Sequence, residues 1–157
     1  MKIVHVVTYV SENGSFGGPT AVAIAQLKAL GAQGHEVELV AGWDGRGQIA
    51  VPGVKISLFK TFRVWPGFTG LISPALFFHL LKNVGRGSKL HIHLGRDLMT
   101  QITAIIAMIK SVEFFVQTHG MIMPKRQKII KFLDYFSTRP ILNRRHISTN
   151  ASTLFLG

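Results

Sequence analysis

A chain of 157 residues with 47% apolar side chains can bury one good core, and its lack of cysteine excludes a disulfide framework, thiol catalysis and cysteine-ligated zinc while fitting a reducing cytosol. The net charge of +11 is uneven, with thirteen Lys/Arg against three Asp/Glu in residues 61–157 and five against four in residues 1–60. The later part is therefore the side that would meet an anionic partner.

The N-terminal apolar stretch is interrupted by His5 and followed by glycines, which makes it a poor signal peptide and a good first buried strand. After Ile3-Val4-His5-Val6-Val7 comes the turn-rich Gly14-Ser15-Phe16-Gly17-Gly18-Pro19, and residues 21–30 read as a helix with proline in its first turn. A helix so placed turns unpaired N–H groups and the positive end of its dipole toward the mouth of a sheet. Gly17 and Gly18 would let an anion, above all a phosphate, approach the backbone. The loop has neither the Gly-Lys-Ser/Thr ending of a P-loop nor the G-x-G-x-x-G spacing of a dinucleotide binder. Taken alone, the loop reads first as a turn that needs glycine for its backbone angles.

Further along, strands are expected over 3–7, 36–41, 54–59, 90–94, 114–118 and 146–149, with helices over 19–32, 73–83, 97–109 and 125–136. Gly31 and Gly34 are expected to close the first helix. The alternation gives an α/β fold, a Rossmann-like and mostly parallel sheet with helices on both faces. Ligands of such sheets bind beyond the carboxyl ends of the strands, which lines up the 14–19 loop, His93-Leu94-Gly95 and His119-Gly120 along one edge.

Residues 64–81 carry no Lys, Arg, Asp or Glu, but Pro66, Gly67, Gly70 and Pro74 interrupt them, and the unbroken apolar run is far short of the roughly 20 residues a bilayer requires. Arg63, Lys82, Arg86 and Lys89 bracket this segment, which holds Trp65, Phe68, Phe77 and Phe78, and basic residues beside aromatics suit an anionic membrane surface or a phosphate-rich ligand. A solvated basic face is the plain alternative. The pI near 10.6 also raises nucleic-acid binding, against which Phe77-Phe78 and Phe114-Phe115 read as buried pairs. His91 and His93 share a strand face and could share a metal, but no third ligand stands at matching spacing and Asp97 is only a possible partner, so no metal site is expected. His5, His35, His79 and His146 read as structural.

Three segments in this order resemble a known family: the first strand leading to Gly17-Gly18-Pro19, the strand Leu90-His91-Ile92-His93 followed by Gly95, and Phe114-Phe115-Val116-Gln117-Thr118 followed by His119-Gly120. Together they resemble the N-terminal, acceptor-side domain of the retaining glycosyltransferases of family four, which have the two-domain GT-B fold. The resemblance spans residues 1–157. It implies transfer of a sugar from a nucleotide-sugar donor to a saccharide or lipid-linked acceptor, with retention, no further cofactor and no dedicated protein nucleophile. Gly17 and Gly18 would lie at the donor diphosphate, His119 at the reacting centre, and His93, Gly95 and Gly120 in the acceptor cleft. Arg63, Trp65, Lys82, Arg86 and Lys89 would face the membrane, in a cytoplasmic protein with room for a peripheral place on the inner face.

The family holds its nucleotide mainly in a second Rossmann-like domain bearing Glu-x7-Glu, and these residues contain no such segment. The expectation is thus one half of a two-domain enzyme, inactive alone. The rival classes are a non-enzymatic phosphate- or anion-binding α/β module and, behind it, a basic nucleic-acid binder.

Overall fold

A computed structural model describes residues 1–11, 17–46, 49–95 and 97–118. The expected helix over 125–136, the strand over 146–149, His119 and Gly120 lie outside the described residues.

The fold is α/β. Five parallel strands, β1 (Lys2–Val10), β2 (Glu36–Trp43), β3 (Lys55–Lys60), β6 (Ser88–His93) and β7 (Glu113–Gln117), form one sheet in the order β3-β2-β1-β6-β7. Helices α1 (Gly18–Ala32), α2 (Pro74–Asn83) and α3 (Leu98–Ile109) flank it. Between β3 and α2 a two-stranded antiparallel hairpin, β4 (Phe62–Arg63) and β5 (Leu71–Ile72), closes around a 3-10 turn at Phe68–Gly70. This is the expected Rossmann-like arrangement. The hairpin is an addition, and it depends on Gly70, where a Cβ would stand 2.5 Å from the Trp65 carbonyl oxygen.

Alternation along each strand divides the core in two. Val4, Val6, Leu90, Ile92, Phe114 and Val116 point to one face, under α2 and α3. Val7, Leu39, Ala41, Ala23 and Leu27 pack under α1 on the other. The chain runs from β1 outward to β3 and then returns to place β6 on the far side of β1, so the sheet reverses direction of growth between β1 and β6.

Some boundaries differ from those expected. Strand β1 continues through Thr8-Tyr9-Val10, all good strand formers, with a register shift between Val7 and Tyr9 that pairs Tyr9 with Gly42 and Val10 with Trp43. Gly31 lies inside α1, packed against Val37, and the helix ends through Gln33 and the left-handed Gly34 at φ 83°. The two phenylalanine pairs split: Phe114 is buried and Phe77 packs on the core, whereas Phe78 is 69% exposed and Phe115 half-buried. Adjacent residues on a strand, or on a helix with a solvent side, cannot both face one core.

Candidate functional site at the carboxyl edge of the sheet

The point of reversal between β1 and β6 is where a parallel sheet opens a crevice at its carboxyl edge. A cavity of about 270 Å³ stands there, lined by Thr8, Tyr9, Ser11, Gly17, Thr20 and Phe68 among others. Helix α1 begins at this cavity with Gly17 as N-cap, no side-chain cap and proline in its first turn; Thr20 N–H turns back to Gly17 O at 2.8 Å.

Gly17 has φ −48° and ψ 154°, ordinary extended backbone, and Gly18 is not among the glycines with positive φ. Among the described residues, a Cβ added to Gly18 would meet nothing within 4 Å, and one on Gly17 only Pro19 Cδ at 3.8 Å. Neither glycine has the positive φ that would require it for a turn. Their missing side chains leave the helix terminus bare, as an anion site needs.

A second cavity of about 270 Å³ adjoins the first, sharing Tyr9 and Phe68 and walled by Asp44, Thr61 and Arg63. Burial and the Asp44 carboxylate push the Tyr9 phenol up, so it stays protonated and donates to Asp44. Arg63, which is exposed, also lines this cleft, and Trp65 is tied into the hairpin by its Nε1–H to Thr69 Oγ1 at 2.9 Å.

Across the reversal point Thr8 Oγ1 donates to Asp97 Oδ2 at 2.8 Å. Asp97 caps α3: its Oδ1 accepts Thr100 N–H at 2.9 Å, and Thr100 Oγ1 binds both Asp97 Oδ2, at 3.0 Å, and the backbone of Gly95. Burial pushes the Asp97 carboxyl up, against the hydrogen bonds from Thr100 and Thr8 that draw it down. This buried knot fixes the turn after β6, Gly95 included. Thr8, Tyr9 and Asp97 carry no motif; only the strand order makes them neighbours.

His93 ends β6 and is buried, 1% exposed, with its Nε2 3.0 Å from His5 Nδ1 on β1. His91 lies opposite His5 in the β1–β6 register. One nitrogen from each of His5, His91 and His93 lies within 4.8 Å of the others, and the His91 and His93 rings stack at 4.8 Å. Burial first, then the neighbouring His91, lowers the His5 pKa to about 3, so His5 is neutral at physiological pH. The third histidine absent by spacing on β6 is thus supplied by the neighbouring strand, and Asp97 is engaged with Thr8 and Thr100 instead.

The remaining basic residues do not form one surface. Arg63 lies at the carboxyl edge, whereas α2 ends at the amino edge, where Asn83 O accepts Lys2 Nζ; exposed Lys82 is in its last turn and exposed Arg86 follows it. Lys89 projects from the α1 side of the sheet, bound to Glu113 at 2.8 Å and 5.6 Å above the Phe115 ring. His79, expected to be structural, contacts buried Glu38 at 2.9 Å. Burial raises the Glu38 carboxyl, but the Ser57 hydroxyl and the ammonium groups of Lys2 and Lys55 more than offset this and hold it below its usual value.

Among the described residues no helix is long and apolar enough to cross a membrane. Compared with known proteins, the chain matches no family model and no curated protein, so its own residues carry the functional reading.

Proposed function

We propose that this chain is the acceptor-side, N-terminal half of a cytoplasmic retaining glycosyltransferase of the two-domain GT-B type, passing a sugar from a nucleotide-sugar donor to a saccharide or lipid-linked acceptor. The observation that carries the reading is the start of α1: Gly17 lines a cavity beside the carboxyl end of β1, and neither Gly17 nor Gly18 has positive φ or, among the described residues, a neighbour closer than 3.8 Å to an added Cβ. Backbone N–H groups and the helix dipole there suit a diphosphate, and Arg63 in the adjoining cleft adds a positive charge. His93 and Gly95 stand at the end of the neighbouring strand, on the side where the acceptor would enter. His119, two residues past Gln117 of β7, is the group assigned to the reacting centre.

The test is turnover with a panel of nucleotide sugars and saccharide or lipid-linked acceptors, using the chain alone and the chain fused to a donor-binding half. Product is expected only from the fusion. Replacing Gly17 and Gly18 by alanine should leave folding intact and reduce turnover by about tenfold or more, the worth of one hydrogen bond to a charged group. His119→Ala should reduce turnover far more than His35→Ala. Turnover by the chain alone would overturn the half-enzyme reading. Product from neither form, with phosphate binding retained at α1, would leave the non-enzymatic anion-binding module.

An anionic membrane surface belongs to the same reading. Phe78 and Leu81 are 69% and 48% exposed on α2, beside exposed Lys82 and near exposed Arg86, an amphipathic face with basic flanks. Lys89, paired with Glu113, is left out of it. Reversing the charges of Lys82 and Arg86 should release the protein from phosphatidylglycerol vesicles at low salt, while Lys89→Glu should not; equal retention of all three proteins would remove the membrane from the proposal.

A further inference from the structure

We propose that His5, His91 and His93 bind a divalent cation of the zinc class on the α1 side of the sheet, in a site built by strand register and independent of the glycine loop. The three imidazoles reach a common point because His5 and His91 are direct partners in parallel strands, and His93 follows His91 at i+2 on the same face. Their nitrogens lie within 4.8 Å of one another, and His5 Nδ1 and His93 Nε2 are already 3.0 Å apart. Around a tetrahedral zinc with Zn–N bonds of about 2.0–2.1 Å, ligand nitrogens stand about 3.3 Å apart. Closing the triad therefore asks for small side-chain rotations.

The donor set selects the ion. Three neutral imidazoles with no carboxylate suit zinc, cobalt, nickel or copper, and do not suit magnesium or calcium, which take oxygen ligands. His5 Nδ1 and His93 Nε2 face each other at hydrogen-bond distance, where one nitrogen must carry a proton, and a cation held by both would replace it. The fourth position has a way in: among the described residues, a cleft of about 250 Å³ lined by His5, His91, Lys89 and Phe115 reaches two of the three imidazoles. Water or hydroxide from this cleft would complete the coordination, as three protein ligands and one solvent oxygen do in other histidine-bound zinc sites.

The experiment uses the tag-free 157-residue chain, equilibrated with zinc and dialysed, with metal content measured by mass spectrometry and cobalt substitution followed by visible absorption. One equivalent per chain and a tetrahedral cobalt spectrum are expected. His91→Ala, at the half-buried position, should weaken zinc binding by more than about tenfold, at least the loss that removal of a supporting residue outside the ligand set causes. His35→Ala should leave it unchanged. Nitrogen-15 spectra of the parent's imidazole rings need no variant: zinc should shift the resonances of His5, His91 and His93 and spare those of His35 and His79. Failure to retain zinc, unaltered affinity in His91→Ala, or zinc-dependent shifts confined to other histidines would each overturn the site.

Discussion

Strands β1, β6 and β7 present two faces that differ in kind. Toward α2 and α3 they show Val4, Val6, Leu90, Ile92, Phe114 and Val116, an unbroken aliphatic and aromatic layer. Toward the other side β1 sets buried Ile3 and Val7 around His5, while β6 and β7 show Lys89, His91, His93, Glu113, Phe115 and Gln117. The first face is wholly apolar, and the second gathers the polar groups of these strands beside a smaller apolar patch under α1. A sheet anchored from behind can keep buried imidazoles in fixed register without their contributing to stability, and the glycine loop at its edge benefits from the same rigidity.

The sharpest break of this contrast is made at neighbouring positions of one strand. Ile92→Asp places an unpaired carboxylate in the layer under α3 and should abolish the cooperative thermal transition. His91→Ala, one residue away and half-buried on the other face, should cost under about 1 kcal/mol in metal-free protein. Circular dichroism melts of the two variants decide the point: similar losses, in either direction, would mean that the faces are not mechanically distinct.

Glu38 is the exception on the α2 side, a carboxylate 1% exposed that is surrounded by Lys2, Lys55, His79 and Ser57. Its folded pKa lies below the ordinary 4.5, so the native state holds fewer protons than the unfolded chain in the acid range. Its stabilisation is complete above about pH 5 and is lost as pH falls through the folded value. Glu38→Gln should cost roughly 3 kcal/mol at neutral pH, as removal of one partner from a buried ion cluster does, and should flatten the acid limb of the stability curve. Asp97 slopes the other way. Its raised pKa keeps a proton in the native state after the unfolded chain has lost it, so its contribution weakens as pH rises above the ordinary 3.8. Urea melts of Glu38→Gln and Asp97→Asn between acid and neutral pH should therefore diverge in slope. An acid limb in Glu38→Gln as steep as the parent's would remove Glu38 as the source.

What the amino-acid order made legible follows from what is local. Periodicity and turn chemistry placed α1, α2, α3 and the five strands of the main sheet to within a few residues, and put Gly17 and Gly18 at a helix start. Contacts set by strand order were not legible. His5 was read as structural because its partner is 88 positions away, and only the β1–β6 pairing joins them. Closeness in the chain also hid that α2 runs from the carboxyl edge, where Arg63 lines a cleft, to the amino edge, where its C-terminal Asn83 meets Lys2. Asp97 was considered for a metal with His91 and His93, but as N-cap of α3 it turns to Thr100 and Thr8.

Packing tolerance extends the comparison with smaller effects. At Gly42, on the α3 side of β2, a Cβ would stand 2.6 Å from the Thr8 carbonyl oxygen, 2.5 Å from Thr61 Cγ2 and 3.0 Å from Met99 Cε. The first is backbone and cannot turn away, so Gly42→Ala should cost about 1–3 kcal/mol by overpacking. Gly18→Ala, where nothing is within 4 Å, should be neutral or slightly stabilising, since alanine favours the helix. Denaturant midpoints give both values; equal loss at the two glycines would show that the α1 terminus is as tightly built as the core and would remove the steric argument for a ligand there.

The smallest effect belongs to the pair Lys89 and Glu113 on the polar face. Their side chains are 36% and 47% exposed, and although Nζ and Oε1 are 2.8 Å apart, solvent screens the attraction and both chains lose rotamer freedom in making it. Lys89 also lies 5.6 Å above the Phe115 ring, near the outer limit at which a cation and an aromatic face attract appreciably. Lys89→Gln should therefore change stability by less than about 0.5 kcal/mol, and the small loss should vanish as salt is raised. Because Lys89 borders the cleft leading to the histidines, its positive charge would oppose an approaching cation. The same variant should then bind zinc somewhat more tightly at low salt while melting like the parent. A loss above about 1 kcal/mol would mean that the polar face contributes to folding after all, and the division of labour between the two faces would have to be redrawn.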